Sequence, residues 1–224
     1  ATFATQGEVI YDARNQIRVF STEWGQINVK RFRQPSFCQR IAYTFFRQPK
    51  AQRAYNNALL LQNAGIPTPT PIAYILCGEG LLTTSYLVTL QVETREMFYL
   101  FGDGKTEERE DLLTAFAQLT AHMHNKGIMH LDFSPGNILY GKKDNQWLFN
   151  IVDINRMYFG KVSPRMGCRN FARLWGGHAF FEHIARIYAQ ERHLNTQYCL
   201  NEILKAHRHF WRYRHPEKFF RYES

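Results

Sequence analysis

Four side chains in the second half of the chain have the types and the order that phosphoryl transfer to an alcohol requires. His130, Asp132 and Asn137 lie within residues 128–139, and Asp153 follows a short apolar run. A carboxylate can orient an attacking hydroxyl and accept its proton. Carboxylate and amide oxygens are ligands that Mg²⁺ prefers. The pattern therefore predicts Asp132 as the catalytic base and Asn137 and Asp153 as metal ligands.

The spacing of these residues is that of a protein-kinase catalytic loop, H-R-D-L-x-x-x-N. Asp153 then stands at the place of the D-F-G aspartate, which binds the metal that bridges the β- and γ-phosphates. Lys30, in a predicted strand, corresponds to the lysine that clamps the ATP phosphates. Arg31 points to the opposite face of that strand and competes for this role. ATP and Mg²⁺ are the expected cofactors.

The elements before residue 93 are predicted to be mainly strands, with one helix. Gly65 stands where the C-terminal cap of that helix belongs, and Gly78-Glu79-Gly80 is typical of a hairpin turn. The helix is predicted over residues 50–63, where alanines recur at three- and four-residue spacing. The strands are predicted at residues 9–11, 17–20, 27–30, 72–77 and 81–92.

The elements after residue 93 are predicted to be mainly helical. A helix is expected over 107–125, a hairpin from 138–140 and 147–152, and two or three helices over 170–215. The order predicts an α+β, protein-kinase-like bilobal fold. Residues 1–92 would form a strand-rich N-terminal nucleotide-binding lobe, and residues 93–224 a mainly helical C-terminal catalytic lobe.

Most of the chain resembles the lipopolysaccharide kinases, which phosphorylate Kdo or heptose in the inner core of bacterial lipopolysaccharide. The resemblance rests on the catalytic and Asp153 segments and on three further stretches: Val29-Lys30-Arg31-Phe32, Lys50-Ala51-Gln52-Arg53-Ala54-Tyr55, and Gly65-Ile66-Pro67-Thr68-Pro69 with Pro71. It implies an ATP- and Mg²⁺-dependent phosphotransferase with an alcohol acceptor. The implied acceptor is a sugar hydroxyl of lipopolysaccharide, at the cytoplasmic face of the inner membrane.

Three departures from the kinase pattern concern the rate of catalysis. No G-x-G-x-x-G precedes Lys30, and Ser134 stands where many protein kinases carry a lysine. The positions of the usual helix glutamate hold Ala54 or Asn56, so Lys30 is expected to pair with Asp153, or with Asn56 or Asn57. Two alternatives therefore stay open: a nucleotide-binding pseudokinase that acts as a scaffold at the membrane, and a RIO-like or small-molecule kinase.

Charge is the clearest compositional signal. The chain carries 28 Lys and Arg against 19 Asp and Glu, a net charge of +9, and no acidic residue occurs from Arg31 to Gly78. A second basic stretch, with interleaved aromatics, closes the chain at 205–221. Such surfaces attract polyanions. A third alternative, a nucleic-acid binder, rests on these basic runs alone. We expect instead that the protein makes peripheral contact with an anionic membrane surface and binds no nucleic acid.

Composition also bounds the location of the protein. No apolar run approaches the ~20 residues of a membrane span, and the first residues do not have the pattern of a secretion signal. Four widely spaced cysteines without a C-x-x-C pair predict buried thiols rather than disulfides or a zinc site. The expected location is cytoplasmic, with peripheral contact at the inner face of the inner membrane.

Overall fold

The chain divides into two units, each with its own packed interior. The first holds Ala1–Glu93 together with Asp153–Asn155, and the second holds Thr94–Val152 and Arg156–Ser224. The computed structural model describes residues 3–94, 96–98 and 109–214. The short segment with Asp153 therefore belongs to the unit of the first 93 residues, although the chain on both sides of it belongs to the other.

The first unit is built on an antiparallel sheet of five strands in the order β1-β2-β3-β5-β4. Each strand alternates its side chains between two faces, so adjacent residues of β3 point in opposite directions. In that strand Lys30 pairs with Ile17 of β2 and Leu87 of β5. The strands are β1 (Glu8–Asp12), β2 (Gln16–Thr22), β3 (Gly25–Arg31), β4 (Pro71–Cys77) and β5 (Thr84–Leu90).

Helix α2 (Lys50–Asn63) covers the range that the alanine spacing predicts. Its buried residues, Ala51, Ala54, Ala58 and Leu61, recur at three- and four-residue intervals and so share one face. Gly65 follows the helix with a φ of +73°, the left-handed conformation that glycine adopts without a Cβ clash. The cap signal thus locates the end of the helix correctly.

A second helix in this unit, α1 (Phe37–Phe45), contradicts the prediction of one helix before residue 93. Its start has a capping-box pattern, in which the Ser36 N–H donates to Gln39 Oε1 at 3.3 Å. None of its residues is buried, so no apolar stripe faces a core. Polar bonds hold it instead: Arg40 Nε donates to the Leu82 carbonyl at 3.1 Å, and the Leu82 N–H donates to Thr44 Oγ1 at 3.0 Å.

The second unit combines packed helices with two small sheets. Helix α3 packs on α5, and α5 and α4 both pack on α6; none of the helices within the described ranges has the length and apolar character to cross a bilayer. The helices are α3 (Glu110–Asn125), α4 (Pro164–Asn170), α5 (His178–Glu191) and α6 (Thr196–Arg214). The strands are β6 (Glu96–Met97), β7 (Ile128–His130), β8 (Ile138–Lys143), β9 (Gln146–Ile151) and β10 (Met157–Phe159).

Phenylalanine rings form the interior of the second unit. Phe116 of α3 lies with its ring centroid 4.4 Å from that of Phe98, 5.7 Å from Phe133 and 6.4 Å from Phe171. All four side chains are buried. Because Phe133 directly follows Asp132, the aromatic core anchors the segment that carries this carboxylate.

Several predicted boundaries differ from the structure. Helix α3 begins at Glu110 rather than 107, and residues 107 and 108 lie outside the described residues. Strand β8 runs on to Lys143, because Asp144 and Asn145, with φ of 49° and 61°, make a two-residue turn. Strand β5 begins only at Thr84.

Two of the cysteines are exposed, Cys38 and Cys77, so the expectation of buried thiols holds only for the other two.

Candidate functional site

His130 braces the loop that carries Asp132. Its side chain is fully buried, its Nδ1 accepts the Asp132 N–H at 3.0 Å, and its Nε2 lies 3.1 Å from the Val152 carbonyl oxygen. Since Nδ1 accepts a backbone proton and a carbonyl can only accept, Nε2 carries the hydrogen. His130 is thereby a neutral support that orients the backbone around Asp132.

Asn137 closes this loop from the other end. The side-chain Nδ2 of Asn137 donates to the backbone carbonyl oxygen of Asp132 at 2.7 Å, and the backbone carbonyl of Asn137 accepts the Val152 N–H at 2.9 Å. Because the amide nitrogen is committed to this bond, the orientation of the amide is set and Oδ1 is the atom suited to a metal ion. A neutral oxygen in a fixed position fits the preference of Mg²⁺ for hard ligands.

Arg173 meets the carboxylate of Asp132. Its Nη1 donates to Asp132 Oδ1, and both side chains are about one third exposed. Sequence reasoning did not single out Arg173. No local pattern connects two residues 41 positions apart, so no signal in the sequence pointed to this partner.

Asp153 occupies a conformation that is uncommon for a residue with a side chain. Its φ is +55°, and it lies in neither a hairpin turn nor a helix end, where left-handed residues usually occur. Such outliers cluster at functional sites, where surrounding contacts maintain them. Two contacts do so here: Asp153 Oδ1 accepts from Lys30 Nζ at 2.7 Å and from Asn155 Nδ2 at 2.8 Å.

The ion pair of Lys30 and Asp153 confirms the first of the partners expected for this lysine. The Lys30 side chain is 15% exposed and that of Asp153 is 36% exposed, so water screens the pair only in part. Its ammonium also lies 5.2 Å from the ring centroid of Phe32. Arg31, the competing candidate, lies instead near the ring of Phe3.

Helix α2 reaches the Asp153 segment through an amide rather than a carboxylate. Asn57 Nδ2 donates to the Ile154 carbonyl at 2.7 Å. The bond of Asn57 thus goes to the Asp153 segment, whereas Lys30 donates to the Asp153 carboxylate itself. The helix still supports the segment, but it does so without placing a negative charge beside Lys30.

Positive charge is in excess around Lys50, the first residue of α2. Burial lowers the pKa of Lys50, and so does the charge of Arg14, Arg53 and Lys30, while Asp153 raises it. Three other cations and one carboxylate thus act on Lys50. Such a surplus of cations attracts phosphate groups.

An apolar hollow of about 380 Å³ lies in the same unit. Thr22, Glu23, Trp24, Ile27, Ile72 and Leu90 line it. The turn between β2 and β3 supplies part of the wall, and Gly25 is the single glycine of that turn. Ile27 lies three residues before Lys30 in β3, so the hollow lies on the face of the sheet opposite to the Lys30 side chain.

Comparison with known proteins identifies the family model and the fold that the chain matches. Residues 6–192 match the model of the lipopolysaccharide kinase (Kdo/WaaP) family. A 3-deoxy-D-manno-octulosonic acid kinase of Vibrio parahaemolyticus serotype O3:K6 (strain RIMD 2210633) is 27% identical over 119 residues. The aligned part covers 53% of this chain and 49% of that protein, so the match spans about half the length of the relative.

Two solved structures are similar to the chain as a whole. The structure of WaaP in complex with acyl carrier protein has a TM-score of 0.63 at 18% identity, and covers 97% of this chain and 90% of its own. An aminoglycoside-3′-phosphotransferase of type VIII has a TM-score of 0.59 at 13% identity, with 90% and 93% covered. These likenesses confirm the predicted α+β, protein-kinase-like fold.

Proposed function

Because the chain belongs to the lipopolysaccharide kinase (Kdo/WaaP) family, we propose that it phosphorylates a sugar hydroxyl of the lipopolysaccharide inner core with ATP. Kdo is the first acceptor to test, since the relative from Vibrio is named for that sugar, and heptose is the second. Residues 1–92 form the nucleotide-binding lobe in this proposal, and residues 93–224 form the catalytic lobe.

The ion pair of Lys30 with Asp153 is the observation that carries the proposal. These residues lie 123 positions apart, yet their side chains meet at 2.7 Å. In the protein-kinase-like fold they correspond to the lysine and the aspartate that handle the phosphates and the metal. The left-handed φ of Asp153 and the excess of cations around Lys50, which Asp153 also influences, support the same interpretation.

Each of the proposed site residues has one role. Asp132 orients the acceptor hydroxyl and takes up its proton as the oxygen attacks the γ-phosphorus, while the bond from that phosphorus to the departing ADP breaks. Lys30 binds the phosphates of ATP. Asn137 and Asp153 would hold Mg²⁺, which neutralises charge on the phosphates when it is bound. His130 keeps the loop in place, because both ring nitrogens are used in hydrogen bonds.

Replacement of Asp132 by asparagine tests the catalytic role. Phosphate transfer to Kdo-bearing lipid A, followed by mass spectrometry, is expected to fall by about 10²–10⁴-fold, because the general base is lost. Binding of Mg·ATP, measured by calorimetry, is expected to stay near that of the unmodified protein. Full activity of Asp132→Asn would remove this assignment. A pseudokinase would instead bind nucleotide and transfer no phosphate in either form.

We also propose peripheral contact with an anionic membrane surface. Helix α1 and its C-cap residue present three phenylalanines, Phe37, Phe45 and Phe46, with exposed fractions of 65%, 66% and 80%. Arg33 and Arg47 flank this helix and are exposed. Exposed aromatic residues beside cations are typical of surfaces that insert at the headgroup level of anionic bilayers. The basic stretch at 205–221 was the other expected contact, and its residues from 215 onward lie outside the described residues.

A further inference from the structure

We infer that Arg173 is the positioning residue of the catalytic loop and fixes the Asp132 carboxylate for proton transfer. The inference rests on the proposed kinase function and adds a residue to it. Arg173 Nη1 donates a hydrogen bond to Asp132 Oδ1. This bond limits the rotation of the carboxylate about the Cβ–Cγ bond of Asp132. A guanidinium is well suited to this, since its donors lie in a rigid plane.

One turn of chain holds the catalytic loop at two points. Asn170 ends α4 and Arg173 ends the 3₁₀ turn that follows, Phe171–Arg173. Asn170 Nδ2 donates to the His130 carbonyl at 2.9 Å, while Arg173 reaches Asp132. The backbone on one side of the base and the carboxylate itself are thus fixed by residues three apart.

Side chains of neighbouring helices hold this turn in place through hydrogen bonds and a ring contact. His124 Nε2 lies 3.1 Å from Asn170 Oδ1, and its Nδ1 lies 2.8 Å from the Tyr188 hydroxyl. On the other side His207 Nδ1 lies 3.2 Å from the Ala172 carbonyl oxygen. The guanidinium of Arg173 lies 5.2 Å from the ring centroid of Phe210 in α6, a favourable cation–π distance. Arg173 is therefore held in place by other groups, as a positioning residue must be.

Arg173 also brings the positive charge that the loop sequence lacks. Ser134 occupies the place where many protein kinases carry a lysine, two residues after the aspartate, and its hydroxyl is neutral. A cation beside the reacting groups favours the build-up of negative charge nearby. Here the cation comes from a distant turn rather than from the loop itself.

A double-mutant cycle tests the inference with Mg·ATP and Kdo-bearing lipid A. Arg173→Ala is expected to lower kcat by about 10- to 100-fold, as is usual when a supporting partner is lost, with little change in the KM for ATP. Arg173→Lys should restore part of this loss. In an Asp132→Asn background, Arg173→Ala should lower kcat only slightly further, because the carboxylate that Arg173 positions is already absent.

Arg169→Ala is the matched control, since Arg169 lies four residues earlier and faces Glu202 at 3.7 Å; its kcat should equal that of the unmodified protein. Unchanged kcat in Arg173→Ala, or an equal further loss in the Asp132→Asn background, would overturn the inference. Should Arg173→Ala fail to fold, Arg173→Lys and Phe210→Leu carry the same test.

Amide hydrogen exchange separates failure of this inference from failure of the proposed function. Faster exchange across residues 130–137 in Arg173→Ala, but not in Arg169→Ala, is expected whether or not the acceptor is Kdo. If exchange is faster but the unmodified protein transfers no phosphate to any core acceptor, only the proposed function is wrong. If exchange does not differ from that of the control, the positioning role is wrong.

Discussion

At the scale of single residues, Lys30 is neutralised by Asp153, a residue of the predicted metal site, and not by a helix glutamate. One oxygen of Asp153 accepts hydrogen bonds from both Lys30 and the buried Asn155. The carboxylate is therefore oriented before any nucleotide binds. Orientation that is set in advance reduces the entropy lost on binding. In this way the chain retains an ordered Lys–Asp pair although helix α2 lacks a carboxylate.

Asn57→Ala should weaken the segment around Asp153. The substitution removes the bond to the Ile154 carbonyl, and such a bond contributes about 1 kcal/mol to the free energy of unfolding. We also expect a several-fold higher KM for ATP, because the residue next to Asp153 loses its tether. Urea unfolding and steady-state kinetics measure the two effects.

Asn56→Ala is the control for this prediction. Asn56 is the adjacent residue of the same helix, so both variants change helix propensity equally. Equal changes in Asn56→Ala and Asn57→Ala would show that the bond to Ile154 has no special role.

At the scale of elements, helices α3 and α6 each bury a histidine that must stay neutral. Burial lowers the pKa of His124 to about 3 and that of His207 to about 4, and the charges of Arg192 and Arg208 act in the same direction. Hydrogen bonds to Asn170 and to Ala172 oppose part of this shift. Both histidines support the turn that carries Arg173. Protonation of either side chain is therefore expected to weaken the support of the catalytic loop.

Acidification should therefore destabilise the second unit. An unfolded chain takes up a proton at a pKa near 6.5, whereas folded His207 takes one up only near 4. Between these values the unfolded state binds more protons, so the free energy of unfolding should fall as the pH is lowered from about 6.5 towards 4. Urea unfolding at pH 7.5 and at pH 5 measures this loss.

His207→Gln should show a smaller loss over that range than the unmodified protein, because glutamine does not titrate. His209→Gln, an exposed position on the same helix, should keep the full loss. An identical pH dependence in both variants would show that His207 is not among the groups responsible.

At the scale of the whole molecule, charge is distributed unevenly. The net charge is +9, and the acid-free stretch from Arg31 to Gly78 contains the exposed helix α1. Exposed phenylalanines on a helix without any buried residue are costly in water. A bilayer surface with anionic headgroups would satisfy both the apolar rings and the cations.

Binding to vesicles should depend on α1 and on salt. We expect phosphatidylglycerol vesicles to bind the protein in co-sedimentation and phosphatidylcholine vesicles to bind it weakly. Salt should reduce the binding, since the screening length is about 10 Å at 0.1 M. The double variant Phe45→Ser/Phe46→Ser should bind less.

Tyr213→Ser is the control for this experiment, because Tyr213 is 72% exposed on α6. If the control loses as much binding as the α1 variant, the contact lies in the C-terminal stretch instead. Equal binding to both kinds of vesicle would contradict the membrane proposal as a whole.

The sequence by itself determined the features that depend on residues close together in the chain. Alanine spacing and Gly65 located α2 at Lys50–Asn63, and the order of apolar runs and turns predicted the sheet of the first unit. The motif from His130 to Asn137 and the aspartate at 153 predicted the protein-kinase-like fold, and the Gly65-Ile66-Pro67-Thr68-Pro69 stretch indicated the family within it. These are local signals, because a turn of helix, a cap or a catalytic loop is specified by a few neighbouring side chains.

Only the tertiary structure decided which distant groups meet. Helix α1 escaped prediction because its apolar residues face no core and its ties to Leu82 are polar. Arg173 reaches Asp132 across 41 positions, and Asn57 reaches Ile154 across 97. Such pairs leave no periodic trace in the sequence, since they depend on the packing of whole elements rather than on spacing along the chain.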